Sequence, residues 1–309
     1  MRIARCFGVG AVMVGILGMQ ARAAETPETI LIRKTIDNEE FAKRRGNAEQ
    51  MLESYGEDVA AYEANGTIDP RGWTVSHENR AALAQAFATQ LQEKRFDFDR
   101  VMPFILVLTP QHEKAIATTV DSGVVIDKST GISEPLLEER LWFFDKIEDE
   151  WLVSGFVQNL GDATTVGTTR PFDPVPELSE LLEQEKEAWE TGSAGSIAGL
   201  YNEKLAAYSG ENEVKPAKWK IIFGDSEDWE SWLTKRLGTA QYEIDRNVVY
   251  ADLGASGQEA VAVTRETVTT KYDKGPVEHS LDRYVLWLAS RKSGSWKINQ
   301  VFYDVGLPK

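Results

Sequence analysis

Charged and hydroxyl-bearing residues set inside apolar patterns are where a folded chain can hold chemistry, because burial makes an unpaired polar group costly. In "EAVAVTRETVTTKY", Arg265 follows Val261 and Val263 at alternate positions and so shares their face of a strand. Arg283 and Tyr284 interrupt "SLDRYVLWL". Glu185 falls on the apolar side of a stretch that repeats Leu178, Leu181, Leu182, Ala188 and Trp189 at helical spacing. Arg265 with Glu185 or Glu266 would make a charged pocket floor; the competing reading puts them on a sheet's outer face or in an internal salt bridge. Tyr201 joins the set as a packing residue with a hydrogen-bonding tip. Trp232 joins it with Trp73, Trp219 and Trp229, as aromatics that either line a pocket mouth or fill a core.

Other chemistry is thinly represented. Three histidines, His77, His112 and His279, stand among unlike neighbours with no legible Asp–His pairing, which argues against imidazole catalysis and against a metal centre. Cys6 is the only cysteine, and it lies in the N-terminal leader-like stretch. No glycine-rich phosphate loop, nucleophile elbow or paired-carboxylate motif is present, and no cofactor is expected. The Asp-Arg dipeptide at Asp99-Arg100 returns 146 positions later at Asp245-Arg246, and reads as a strand-opening turn.

The first residues read as a secretory signal peptide. "MRIAR" is basic, "CFGVGAVMVGILGM" is apolar but short for a membrane span, and "QARA" ends in small residues that predict cleavage after Ala23. Cleavage would remove Arg2, Arg5 and Arg22 and take the formal charge from −15 to −18. That surface excludes nucleic acid and anionic lipid as natural partners, since both require clustered Lys and Arg. The expectation is a periplasmic or secreted protein with no membrane insertion after cleavage, stabilised by packing without disulfides.

What positions the candidates is a repeat. "YGEDVAAY" at 55–62 returns as "YNEKLAAY" at 201–208, and a shift of 146 aligns residues 42–100 with 188–246 without a gap. That block has 13 identities in 59 pairs, where composition alone gives roughly three or four. A shift of 145 then aligns 113–161 with 258–306, matching "RLWFF" to "VLWLA" and Trp151–Gly161 to Trp296–Gly306. The chain therefore reads as a signal peptide (1–23), a short linker (24–36), copy one (37–161), a Thr/Gly/Pro-rich linker (162–175) and copy two (176–309). In copy two, Leu178–Trp189 predicts one helix, Ile197, Leu200, Tyr201 and Leu205 a second, and "DSEDWESWLTKRLG" a third with Asp225 or Ser226 as cap. Long alternating strands follow, separated by turns such as "DKGP", "RKSGS" and, in copy one, "DKSTG". Short helices followed by a meander predict an α+β fold: two tandem cone-shaped domains, each a curved antiparallel sheet with about three helices on its concave face.

With "AWETGSAGSIAGLY" opening a copy and "SGSWKINQVFYD" closing it, each copy resembles the nuclear transport factor 2-like superfamily, including SnoaL-like domains. Copy two is similar to the domain found C-terminal to some bacterial L,D-transpeptidases, although the mature chain has no cysteine for that reaction. The resemblance implies a curved sheet that wraps a helix around a conical pocket. In some relatives that pocket is the active site of an isomerase, dehydratase or cyclase; in others it binds a ligand or partner. An isomerase would need a carboxylate base facing Tyr201 or Tyr284 inside the cone. The expectation is an exported non-catalytic binding or protein-interaction module, serving a small molecule or an envelope protein and accessory to cell-envelope enzymes, with its two domains paired within the chain. The alternative is a SnoaL-like enzyme using one pocket.

Overall fold

The computed structural model describes residues 26–65, 70–107, 113–160, 176–210, 216–253, 258–279, 283–292 and 294–303. The leader, the 162–175 linker and His112 lie outside these residues. Helix α1 (Pro27–Arg45) starts within the stretch read as a linker, because Thr26 caps it: Thr29 N donates to the Thr26 hydroxyl at 3.2 Å, and Thr26 N donates back to the Thr29 hydroxyl at 2.8 Å. Ile32 and Ile36 of this first half are fully buried, so the segment belongs to the core. Gly46 (φ 71°) ends α1, and its counterpart Gly192 (φ 70°) follows helix α4 (Pro176–Glu190). Both occupy the left-handed region that glycine enters without strain, which is why the repeat keeps them. The caps Asn47 and Ser193 then start the short helices α2 (Ala48–Leu52) and α5 (Ala194–Leu200).

The repeated phrase is a strand in both places: β1 (Tyr55–Glu63) and β7 (Tyr201–Ser209). This corrects the reading that carried helix through Tyr201 and Leu205. The helix stops at Leu200 because Tyr201 already pairs with Ile298 in the sheet, and sheet hydrogen bonding overrides local periodicity. Short strands β2 (Thr74–His77) and β8 (Lys220–Phe223) follow, then helices α3 (Arg80–Glu93) and α6 (Ser226–Leu237). Asp225 caps α6 and Gly238 ends it. The long strands are β3 (Lys94–Val107), β4 (Lys114–Asp127), β5 (Ser133–Ile147) and β6 (Glu150–Gln158) in the first half. Their counterparts are β9 (Ala240–Leu253), β10 (Glu259–Tyr272), β11 (Val277–His279) with β12 (Arg283–Lys292), and β13 (Ser295–Tyr303). At the β4–β5 turn, Asp127 Oδ1 accepts from the Ser129 hydroxyl at 2.6 Å, Thr130 N at 2.8 Å and the Thr130 hydroxyl at 2.9 Å, which holds its carboxyl down at about 2.

Sheet one has the order β2-β1-β6-β5-β4-β3. Sheet two repeats it as β8-β7-β13-β12-β10-β9, with β11 extending the β12 side of β10. Pairing is antiparallel except for β1 with β6 and β7 with β13, which are parallel. The central strands of each sheet are buried on both faces. The inner faces, carrying Trp142 and Phe144 in one half and Val285 and Trp287 in the other, close on their own helices. The outer faces meet each other: Ile116, Leu141, Phe143 and Val157 of the first half form one buried cluster with Val261, Val263, Leu286, Leu288 and Phe302 of the second. This is why "LWFF" and "VLWLA" are apolar without alternation. Trp219 sits in this seam, 4.4 Å ring to ring from Phe302 and edge-on to Phe143 at 5.7 Å. Arg71 donates across it to the carbonyls of Lys204, at 2.6 Å, and of Gly224.

Candidate functional site

Behind each helix layer lies the same ionic chain, built from positions that match under the repeat. In the first half α1 supplies Glu39, β3 Arg100 and β4 Asp121. In the second half α4 supplies Glu185, β9 Arg246 and β10 Glu266. Arg100 donates through Nε and Nη2 to the two oxygens of Asp121 at 2.5 and 2.7 Å, and through Nη1 to Glu39 at 2.5 Å. Arg246 donates to Glu266 at 2.7 Å, and its Nη2 stands 2.8 Å from Glu185 Oε2, an ionic contact off the line of a hydrogen bond. Side-chain exposure is at most 3% for all six residues. The rest of the arrangement also recurs. Tyr55 and Tyr201 donate to Glu39 and Glu185 at 3.2 and 2.8 Å, and Trp142 and Trp287 donate to Thr119 and Thr264 at 2.8 and 2.9 Å.

Chemically, each of these carboxylates is held by a guanidinium. Glu185 also accepts from Trp189 at 2.7 Å, and Glu266 from Thr264 at 2.8 Å and Arg283 at 3.3 Å. Burial would push Asp121 upward, but the Arg100 guanidinium, seconded by Arg140 and Lys43, holds it below the usual carboxylate range. Burial, reinforced by the neighbouring Glu39 and Glu185, drives Tyr55 and Tyr201 well above the usual phenol value. A general base needs a carboxylate free to take a proton near neutral pH. A carboxylate bound to a guanidinium and two further donors is the opposite case.

The halves differ around this shared chain. In the first, Lys43, Glu138 and Arg140 stand where the second has Trp189, Arg283 and Val285. Arg140 grips Glu138 at 2.8 and 2.7 Å, and Lys43 Nζ lies 3.8 Å from Glu138 and over the Phe96 ring at 4.7 Å. The cavity left there measures about 230 Å³. In the second half the cavity is about 350 Å³ and its wall is aromatic: Trp189, Phe223, Trp229, Trp232, Tyr242 and Tyr303. Trp229 and Trp232 stack at 5.4 Å, and Trp189 meets each edge-on at 6.0 Å.

The extra ions of the first half set an acid limit. Arg140 and Lys43 outweigh burial and hold Glu138 below its ordinary 4.5, as Asp121 is held below 3.8. Folded values below unfolded ones stabilise the protein above those ordinary values and are lost as pH falls through the depressed ones. The urea midpoint is therefore expected to fall steeply between about pH 5 and pH 3, with a shallower fall in Asp121→Asn. A midpoint flat or rising over that window would contradict the ion chain.

Of the residues singled out from the sequence, Glu185, Trp232 and Arg283 line the second cavity, and Tyr201 backs it through its hydrogen bond to Glu185. Arg265 and Tyr284 do not line it, which corrects the charged floor drawn around Arg265. Arg265 shares the face of Val261 and Val263 as expected, but that face is the seam side, where Arg265 is exposed and Tyr284 packs at the seam's edge. Its neighbour Glu266 points into the cone instead. Trp219, and Trp73 beside it at 6.5 Å, also belong to the seam. Sequence reasoning missed Arg100 and Arg246, reading their dipeptide as a turn; the recurrence of both arginines at one repeat position was the signal. His77 ends β2 and lines neither cavity, His279 ends β11, and among the described residues no three His, Cys, Asp or Glu side chains converge as a metal site requires.

No family model matches the chain, and no curated protein matches it. Among solved structures, a ketosteroid isomerase-like protein from Erwinia carotovora atroseptica SCRI1043 is similar to part of it, at 16% identity and a TM-score of 0.36, covering 43% of this chain and 96% of that one. A conserved protein from Planctomyces limnophilus DSM 3776 matches at 12% identity and a TM-score of 0.35, over 41% of this chain and 91% of that one. A domain of unknown function with a cystatin-like fold from Nostoc punctiforme PCC 73102 matches at 12% identity and a TM-score of 0.33, over 44% and 81%.

Proposed function

We propose that this chain is an exported, non-catalytic binding module made by duplication of one α+β domain, in which the second cone receives a small molecule. The observation that carries the reading is the engagement of both buried carboxylates in the second cone. Beside a cavity of about 350 Å³, Glu185 and Glu266 are each held by Arg246 and by neighbouring hydroxyl, indole or guanidinium donors, so neither stands free. Recurrence of the same chain in the first half supports a structural role for it, since two unlike cavities share it. Export rests on the leader-like first 23 residues, and no described helix is long and apolar enough to cross a membrane. Service to an envelope enzyme is part of the proposal, with the acidic surface as its docking charge.

Native mass spectrometry of the protein from its own exported fraction, gently and then with collisional activation, tests this reading. The expected result is a mature chain starting at Ala24 that releases an unaltered small molecule of defined mass. Turnover of the released molecule by the purified protein, or an intact leader on a cytosolic chain, would overturn it.

A further inference from the structure

The second cavity carries an unsatisfied chemistry that specifies its occupant. Four buried donors along its wall have no hydrogen-bond partner among the described residues, Trp229 Nε1, Tyr242 Oη, Arg236 Nε and Arg283 Nε, against one such acceptor, Glu185 Oε2, which keeps its ionic contact with Arg246. Trp229 is 1% exposed and Tyr242 7%, so water from outside does not readily supply the missing partners. Three of the four gather on one side. Trp229, Trp232 and Arg236 follow each other at helical spacing on α6, and Tyr242 on β9 meets Trp189, which touches Trp229. Arg236 is held over the rings of Trp232 and Tyr272 at 5.8 and 5.6 Å and donates to the Tyr272 hydroxyl at 3.2 Å. Among the described residues it makes no salt bridge, whereas Arg246 and Arg283 are both paired to Glu266.

A donor surplus of this kind calls for a ligand rich in acceptors, and an unpaired guanidinium beside it calls for negative charge. The walls call for a flat apolar body, because stacked and edge-on indoles present faces and edges at ring spacing. Resting on the binding-module reading, we infer that the second cone holds a planar aromatic carboxylate. Its ring lies among Trp189, Trp229 and Trp232, and its oxygens are taken by Arg236, Tyr242 and the Trp229 indole N–H. The opposite occupant, an organic cation in an aromatic cage, would leave all four donors without acceptors and would face Arg236.

Isothermal titration of the mature protein with 2-naphthoate, 2-naphthylmethanol and 2-naphthylmethylammonium tests the class at constant ring size. Naphthoate is expected to bind at least about tenfold more tightly than the ammonium probe, with the alcohol between them. Arg236→Gln should remove most of the naphthoate preference and leave the alcohol little changed. Trp229→Phe, which keeps a ring and loses the N–H, should weaken naphthoate several-fold. Equal or tighter binding of the ammonium probe overturns the carboxylate assignment. Failure of every probe, with a molecule still released in the mass spectrometer, overturns the ligand class alone. Failure of every probe with no released molecule overturns the binding-module reading as well.

Discussion

Arg246→Met is expected to lower the stability of the protein by about 3–5 kcal/mol, the range for removing one partner of a buried charge pair. The reason is what it leaves behind. Glu185 and Glu266 are 1% exposed, and without the guanidinium two carboxylates remain in a low-dielectric layer with only Arg283, 22% exposed, to answer them. The Leu182 carbonyl, which accepts from Arg246 at 2.5 Å, loses that donor too. The decisive comparison is Arg246→Met combined with Glu185→Gln and Glu266→Gln. Neutral amides keep acceptors for Tyr201, Trp189 and Thr264 while removing both charges, so most of the loss should be recovered. Urea unfolding of the three proteins measures this. A single variant within about 1 kcal/mol of the parent, or a triple variant worse than the single, would show that the ion chain is not what the fold depends on.

Trp219→Ala is the second large effect, at about 3–5 kcal/mol for truncating a buried Trp. Its consequence is different in kind. Trp219 is 9% exposed and touches Phe143 of one sheet and Phe302 and Tyr208 of the other, so the void opens between the halves and not inside either cone. Loss of the seam should uncouple the halves. The parent should unfold in one transition, and the variant in two, because each half keeps its own core of buried residues. Following far-ultraviolet dichroism together with Trp fluorescence through a urea titration reads this directly. A single coincident transition in Trp219→Ala would mean that the halves stay coupled without Trp219.

How much of this was legible in advance depends on which force wrote the pattern. Strands β9 and β10 run over the stretches that alternation marks, and α6 over the stretch its Asp225 cap announces, because one-sided burial imprints a period on the sequence. Tyr201 was misplaced because a strand in the middle of a doubly buried sheet has no alternation to show, and its partner Ile298 is 97 residues away. Glu185 was legible as a carboxylate on an apolar helix face. Arg246 was not, because its neighbours Asp245 and Asn247 made the local stretch look like a polar turn. Arg265 and Glu266 show the limit most clearly. Adjacent residues on a strand face opposite ways, and when both faces are buried composition does not say which face holds the cone.

The seam also fixes how the two cavities relate to each other. Each sheet gives its outer face to the other and its inner face to a cavity, so the two cavities lie on opposite sides of a shared wall. One is lined by Lys43, Glu138 and Arg140 beside apolar residues, the other by aromatic rings together with charged residues such as Glu185, Arg236 and Arg283, and the two packed sheets separate them. The arrangement is a back-to-back pair of unlike cavities on a single chain. Their one-to-one ratio is set by the fold, and the lining of either can change without touching the other.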